Sequence, residues 1–259
     1  MSGVFFFMIM KKLFLLLIIL MINTAGLTAQ ILNVESQRIH QDSTGWVGKA
    51  DLSFNVTSNQ QQVLDLNTAL HVQYRQNKNT YMLLGGAGMI RAGENDFDNS
   101  GHIHFRYNRD LNPWLTWEAF AQGQYNRVLM IGHRELIGTG PRFRLLNHEN
   151  SKLFFASLYM FENEMLIEDK KSVIKHRLSN YVAFNWKIND HVAMNNIVYF
   201  QPVITEFDDH RIMLQSEFRF KITEIVGFVV NFSLLQNSNP PPGIKNTVYS
   251  VRNGLELRL

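Results

Sequence analysis

Cysteine is absent from this 259-residue chain, so neither disulfides nor thiolate metal ligands hold its fold. Long hydrophobic runs are equally scarce. Past the first thirty residues, no segment approaches the roughly 20 apolar residues that a membrane-spanning helix requires. Charge of one sign is missing too, with 25 Lys and Arg against 22 Asp and Glu. Setting aside Lys11 and Lys12 leaves a net charge of about +1, which offers no surface for nucleic acid. Two catalytic signatures are also wanting. There is no Gly-x-Ser-x-Gly elbow, which removes the usual hydrolase nucleophile. Gly85, Gly86 and Gly88 are followed by neither Lys-Ser/Thr nor a predicted helix, so they form no phosphate loop. Glycines in a strand instead let backbones bend or approach closely.

The front of the chain carries its one greasy segment. Lys11 and Lys12 precede an apolar run from Leu13 to Ile22, and small residues follow at Ala25, Gly26 and Ala29. A basic start, an apolar stretch of about ten residues and a small-residue exit predict a cleavable secretory signal peptide over residues 1–29. Met10 is an alternative start, because Phe5, Phe6 and Phe7 make an unusually apolar lead. The rival reading is a membrane anchor extended back to Val4. Residues 30–44 then read as a polar periplasmic leader.

From residue 45 onward the pattern has a period of two. Trp46, Gly48, Ala50, Leu52, Phe54 and Val56 alternate with Val47, Lys49, Asp51, Ser53, Asn55 and Thr57. Ile103, Phe105 and Tyr107 alternate with His102, His104 and Arg106. A helix would scatter these sets round its cylinder, whereas a strand puts each on one face. Twelve strands are predicted, at 45–57, 62–75, 80–92, 97–109, 114–127, 134–146, 152–163, 174–187, 191–201, 209–222, 226–236 and 246–259. The eighth and ninth are least regular, because Asn180 and Asn196 fall on the apolar face.

A chain of modest hydropathy with many amphipathic strands fits a transmembrane β-barrel, where half of each strand faces a polar lumen. The connections agree. With both termini in the periplasm, the periplasmic turns are 76–79, 110–113, 147–151, 188–190 and 223–225. The outward loops are 58–61, 93–96, 128–133, 164–173, 202–208 and 237–245, and these include the long ones, as the class requires. Aromatic residues gather at strand ends. Trp46, Tyr74, Tyr81, Tyr107, Trp117, Trp186, Phe220 and Phe228 lie toward the periplasm, and Phe97, Tyr125, Tyr159, Phe161 and Phe200 toward the outside. Paired girdles of this kind mark the two membrane interfaces. A soluble barrel or sandwich would also alternate, but would turn its apolar faces inward.

The last strand is amphipathic to its end, with Thr247, Tyr249, Val251, Leu255, Leu257 and Leu259 on one face. Such an edge invites aggregation in water, and closing the ring against the 45–57 strand would remove it. Arg252, Gly254, Leu257 and Leu259 resemble the terminal signal that outer-membrane barrels present to their assembly machinery: a polar residue, Gly two later, then apolar residues third-from-last and last.

The same alternation predicts a lumen lined by charges of both signs. The expected polar network is His102, His104, Arg106, Glu118, Arg142, Arg144, Glu162, Arg177, Arg211, Glu217 and Arg219, with Asp51, Asp65, Glu164 and Glu256 among its other acidic members. Charges in a narrow barrel pair across strands and plug it. An excess of Arg and Lys in an open one would favour anions. His102 and His104, with Glu118 expected near His104 across the turn, could form a metal site or an oriented general base, but no third ligand stands at a telling spacing. A lipid hydrolase would need a nucleophile and base on one face, and His176 and Ser179 are three apart, on opposite faces of one strand.

Short motifs point to one family. Gly138-Thr139-Gly140-Pro141-Arg142-Phe143-Arg144, His176-Arg177-Leu178-Ser179, Asp209-His210-Arg211 and Pro241-Pro242-Gly243-Ile244-Lys245 resemble the domain of unknown function 481 family, also labelled salt-induced outer-membrane proteins. The chain departs from that pattern by ending on Leu259 rather than an aromatic residue and by lacking an acidic residue after Lys245. The resemblance implies an outer-membrane barrel with no established catalytic residues.

The sequence therefore predicts an all-β, transmembrane, antiparallel up-and-down barrel of about 12 strands over residues 45–259, following a cleavable signal peptide. It is expected in the outer membrane of a Gram-negative-type bacterium, without catalytic residues, metal or cofactor. Expected partners are outer-membrane lipids, the barrel-assembly machinery and small solutes. The expected role is structural or solute passage, with a lipid-modifying barrel enzyme as the alternative.

Overall fold

In a computed structural model, residues 34, 44–58, 62–93, 95–169 and 171–257 are described. The expected signal peptide, most of the leader and Leu259 of the assembly signal lie outside the described residues, as does the side chain of Leu257. Twelve strands follow one another: β1 (Gly45–Ser58), β2 (Gln62–Gln76), β3 (Asn79–Ala92), β4 (Asn95–Asn112), β5 (Leu115–Asn126), β6 (Ile131–His148), β7 (Ser151–Leu166), β8 (Ser172–Lys187), β9 (Val192–Val203), β10 (Glu206–Lys221), β11 (Val226–Asn237) and β12 (Thr247–Leu257). They form one antiparallel sheet in chain order, each strand paired with its sequence neighbour. Among the described residues no helix is long and apolar enough to cross a membrane.

All twelve predicted strands are present, and several outrun their predicted ends. β10 starts at Glu206, and its ladder with β9 includes Glu206 opposite Val203 before shifting register at His210. The expected 202–208 loop shrinks to 204–205. β4, β6 and β7 extend in the same way. These extensions are polar or mixed in sequence, so alternation does not reveal them; they persist because a continued ladder satisfies backbone N–H and C=O groups.

Alternation sorts the sheet into two faces, inverted relative to a soluble protein. Trp46 is 73% exposed, Leu52 76% and Ile137 60%, while Arg134 and Arg177 are wholly buried. The outward Asn180 and Asn196 are each met by a hydroxyl on the neighbouring strand. Ser157 Oγ donates to Asn180 Oδ1 at 2.7 Å and Ser216 Oγ to Asn196 Oδ1 at 2.6 Å, so each apolar-face amide has a polar partner. Gly85, Gly86 and Gly88 sit within the β3 ladder rather than a loop.

Aromatic rings line the end of the sheet that carries the connections 77–78, 113–114, 149–150, 188–191 and 222–225. Trp46 packs on Tyr74 at 4.6 Å, Tyr74 on Tyr81 at 6.4 Å and Tyr81 on Tyr107 at 5.1 Å. The line resumes as Trp114, Phe143 and Phe155, then Phe184 with Trp186, then Phe220 with Phe228. Trp114, Phe143, Phe155 and Phe184 were not among the expected girdle residues.

The sheet is strongly curled. Tyr181 on β8 reaches Glu118 on β5, and Arg211 on β10 reaches Glu162 and Glu164 on β7. Strands three apart in a flat sheet stand roughly 14 Å from one another, too far for these contacts. On the concave face an apolar cluster fills the waist, with Phe120, Leu136, Phe154, Leu158, Met160 and Tyr199 among its members. Val34, from the leader, is buried with Met82 and Leu84 of β3. β1 and β12 are the two ends of the sheet, and among the described residues they pair only with β2 and β11. The expected ladder between them is not formed there.

Candidate functional site

The concave face holds two layers of charge separated by the apolar waist. The first layer centres on Glu162, near the loop end of β7. Even-numbered residues of β7 and β6 and odd-numbered residues of β8 and β10 point inward, so parity puts three guanidiniums on the same face as one carboxylate, and register and curl bring them together. Arg134 Nε lies 2.5 Å from Glu162 Oε1 and Arg177 Nε 2.5 Å from Oε2. Arg211 Nη1 also donates to Oε1, and its Nη2 donates to Glu164 Oε2 at 3.0 Å. Arg177 Nη2 reaches Asp209 Oδ1 at 2.8 Å, and Lys175 Nζ reaches Asp209 Oδ2 at 2.5 Å. Four cations thus meet three carboxylates.

The second layer centres on Glu118, toward the short-turn end. Arg106 Nη1 donates to Glu118 Oε2 at 2.9 Å, Tyr181 OH donates to the same oxygen at 2.8 Å, and Arg142 Nε stands 3.8 Å from Oε1. The Arg142 guanidinium lies 3.6 Å from the centre of the Phe154 ring, and Arg144 lies 5.9 Å from it. These are cation–π contacts, stronger for being desolvated. The expected Gly-x-Gly-x-Arg strand has a physical role here. A Cβ on Gly138 would stand 2.4 Å from the Phe120 ring, and one on Gly140 would stand 2.4 Å from the Ser157 carbonyl oxygen.

His104 faces Gln122 in the ladder, and its expected position opposite Glu118 belongs to Asn108. The register is set four residues along by the β4–β5 turn, which is shorter and later than predicted. His104 Nδ1 donates to Gln122 Oε1 at 2.8 Å, while its Nε2 accepts from Arg106 Nε at 3.4 Å. Both ring nitrogens are thereby engaged, and Arg106 stands between the imidazole and Glu118. His102 lies apart, against Gly86. Among the described residues no three His, Asp or Glu side chains gather as metal ligands. Ser179 is buried inside, accepting from Gln201 Nε2 at 2.9 Å, and His176 is outside, hydrogen-bonded to Tyr159 OH at 2.5 Å.

Of the expected network, Glu162, Arg177 and Arg211 meet in one layer and Arg106, Glu118 and Arg142 in the other. Glu217 and Arg219 form a third, more exposed pair at 2.7 Å near the start of β11, joined by Glu256 at 3.8 Å from Arg219. Arg134 and Asp209 were missed. Each stands at the first residue of a predicted strand, where no preceding alternation assigns a face; their parity with Arg142 and Arg211 is the signal that identifies them. The apolar waist was missed as well, because β7 is apolar on both faces through Leu158 and Met160.

Between the layers, strands β4 to β9 enclose a cavity of about 20 Å³ lined by His104, Arg106, Gln122, Arg134, Tyr181 and Tyr199, among others. That is room for a single water. Among the described residues five buried arginines (Arg106, Arg134, Arg142, Arg177 and Arg211) outnumber three buried carboxylates (Glu118, Glu162 and Asp209), and the half-buried Lys175 and Glu164 leave that excess of positive charge unchanged.

The family model described as "Protein of unknown function, DUF481" matches residues 50–257. No curated protein matches the chain. Among solved structures, a NanC porin in a rhombohedral crystal form is similar, with a TM-score of 0.50 and 10% identity over 83% of this chain and 98% of that one. At that identity the likeness is one of fold.

Proposed function

We propose, for a chain that belongs to the DUF481 family, a transmembrane barrel of the bacterial outer membrane that passes small anionic solutes through a narrow, arginine-lined interior. The outward apolar belt and the line of aromatics at the short-turn end support membrane insertion, since exposed apolar surface of this extent marks an interaction face and an apolar band bordered by aromatics is what a transmembrane barrel turns to lipid. Closure of β12 on β1, export by the 1–29 signal peptide and engagement of the assembly machinery through the terminal strand belong to this reading. The observation that carries the solute preference is the excess of buried arginine over buried carboxylate, because cationic linings favour anions. The role requires no chemical step, and the opposite facing of Ser179 and His176 argues against the alternative of a lipid hydrolase.

The water-sized gap at the waist favours a second reading, in which the network plugs the barrel and the role is structural. Planar-bilayer recordings separate the two. Small, anion-preferring conductance steps are expected; their absence at every salt concentration and voltage tested would leave the plugged barrel.

A further inference from the structure

The outer surface over β5 carries a groove that the interior network does not explain. Its walls and floor are built in two steps by strand register. Tyr107, Ala119, Thr139 and Tyr159 are consecutive ladder partners across β4 to β7, and Phe105, Ala121, Ile137 and Phe161 are the next set. In each set an aromatic ring stands on either side of two aliphatic or hydroxyl side chains, Ala119 with Thr139 and Ala121 with Ile137. The trough between them has a volume of about 290 Å³. That equals roughly ten waters, but an apolar site offers water no partners and stays dry. Unfilled, its lining forfeits dispersion contacts. Gly123 follows Ala121 on the same face, so the small-residue path from Ala119 to Gly123 runs on the order of 14 Å. Half of a hydrocarbon core about 30 Å thick is nearly the same length.

The charges at the two ends of the path differ. Arg109 lies outward and exposed at the short-turn end, opposite Trp117 in the ladder, and its side chain makes no hydrogen bond or ion pair among the described residues. Trp117 lies just below the trough, its Nε1 donating to Thr139 Oγ1 at 2.9 Å. At the other end Glu135, the ladder partner of Gly123, is exposed and accepts from Asn163 Nδ2 at 3.1 Å. A guanidinium beside an interfacial indole suits a phosphodiester, whereas the carboxylate at the far end repels one.

We propose that this groove seats one acyl chain of a glycerophospholipid from the leaflet at the short-turn end, with the lipid phosphate on Arg109. The inference rests on the membrane-embedded reading above. Its test is native mass spectrometry of the mature protein, extracted from membranes in mild detergent and supplied with phosphatidylglycerol or a neutral diacylglycerol. One phosphatidylglycerol should survive delipidation on the wild-type chain. A121F, which fills the trough from its floor, should lower that occupancy at least tenfold. R109Q should lower it severalfold and remove the preference over diacylglycerol; it keeps the test alive should A121F fold poorly. Equal retention by all three chains overturns the proposal, as does a two-chain species that A121F converts to one, which would make a second copy the occupant. A wild-type chain recovered from membranes without bound lipid overturns this inference alone. A chain that never reaches the membrane overturns both readings.

Discussion

Tyr181 on β8 donates its phenolic hydroxyl to Glu118 Oε2 on β5 at 2.8 Å, across two intervening strands. The bond closes the short-turn side of the waist, and the same ring packs 5.2 Å from Tyr199. Y181F keeps the ring and deletes the donor, so it isolates the bond to a charged acceptor, worth about 1.5–3 kcal/mol. The urea midpoint of the refolded protein should fall by a corresponding amount. An unchanged midpoint would mean that Arg106 and Arg142 alone satisfy Glu118.

Glu162 anchors the other layer. E162Q keeps the shape and removes the charge that Arg134, Arg177 and Arg211 share. Leaving buried charges uncompensated costs roughly 3–5 kcal/mol, so unfolding should shift markedly to lower denaturant. If the variant still folds, its interior is more cationic, and the reversal potential in a KCl gradient should move toward that of chloride. A shift toward the potassium value would contradict the arginine lining as the source of selectivity.

Two glycines make a matched pair. A Cβ at Gly140 would stand 2.4 Å from the Ser157 carbonyl oxygen and 2.7 Å from Leu158 Cα, whereas one at Gly254 meets nothing within 4 Å. G140A must push two backbones apart, at a cost of about 1–3 kcal/mol. G254A should leave the denaturation midpoint where it is. Any defect of G254A should therefore appear in the rate of membrane insertion in cells, as expected if Gly254 serves the assembly signal.

At the 188–191 turn Lys187 Nζ, on the last residue of β8, lies 2.6 Å from Asp190 Oδ1. Their hydrogen bond and opposite charges lower the Asp190 carboxyl below its ordinary value. The carboxyl's contribution is complete above the ordinary value of about 3.9 and is lost as pH falls through its lowered one. An NMR titration of Asp190 should show a depressed midpoint that moves upward in K187Q; the same midpoint in both would show that the pair does not persist in solution.

Strand existence and facing were legible in the sequence because they depend on parity, and parity needs only a residue and its neighbours. Ile103, Phe105 and Tyr107 against His102, His104 and Arg106 already separate an outward from an inward face, and the structure keeps them so. Strand ends were less legible where the ladder runs on through polar residues, as at Glu206. Register across turns was less legible still, which is why His104 meets Gln122 rather than Glu118.

By itself, then, the sequence determined twelve strands, their order, an apolar exterior and a charged interior, since a period of two leaves each side chain one of two sides. Only the tertiary structure decided which interior charges meet. Glu162 gathers Arg134, Arg177 and Arg211 from strands β6, β8 and β10 because register sets their height and the curl of the sheet brings strands three apart into contact. Neither quantity is written in local alternation; both are sums over many strand pairs.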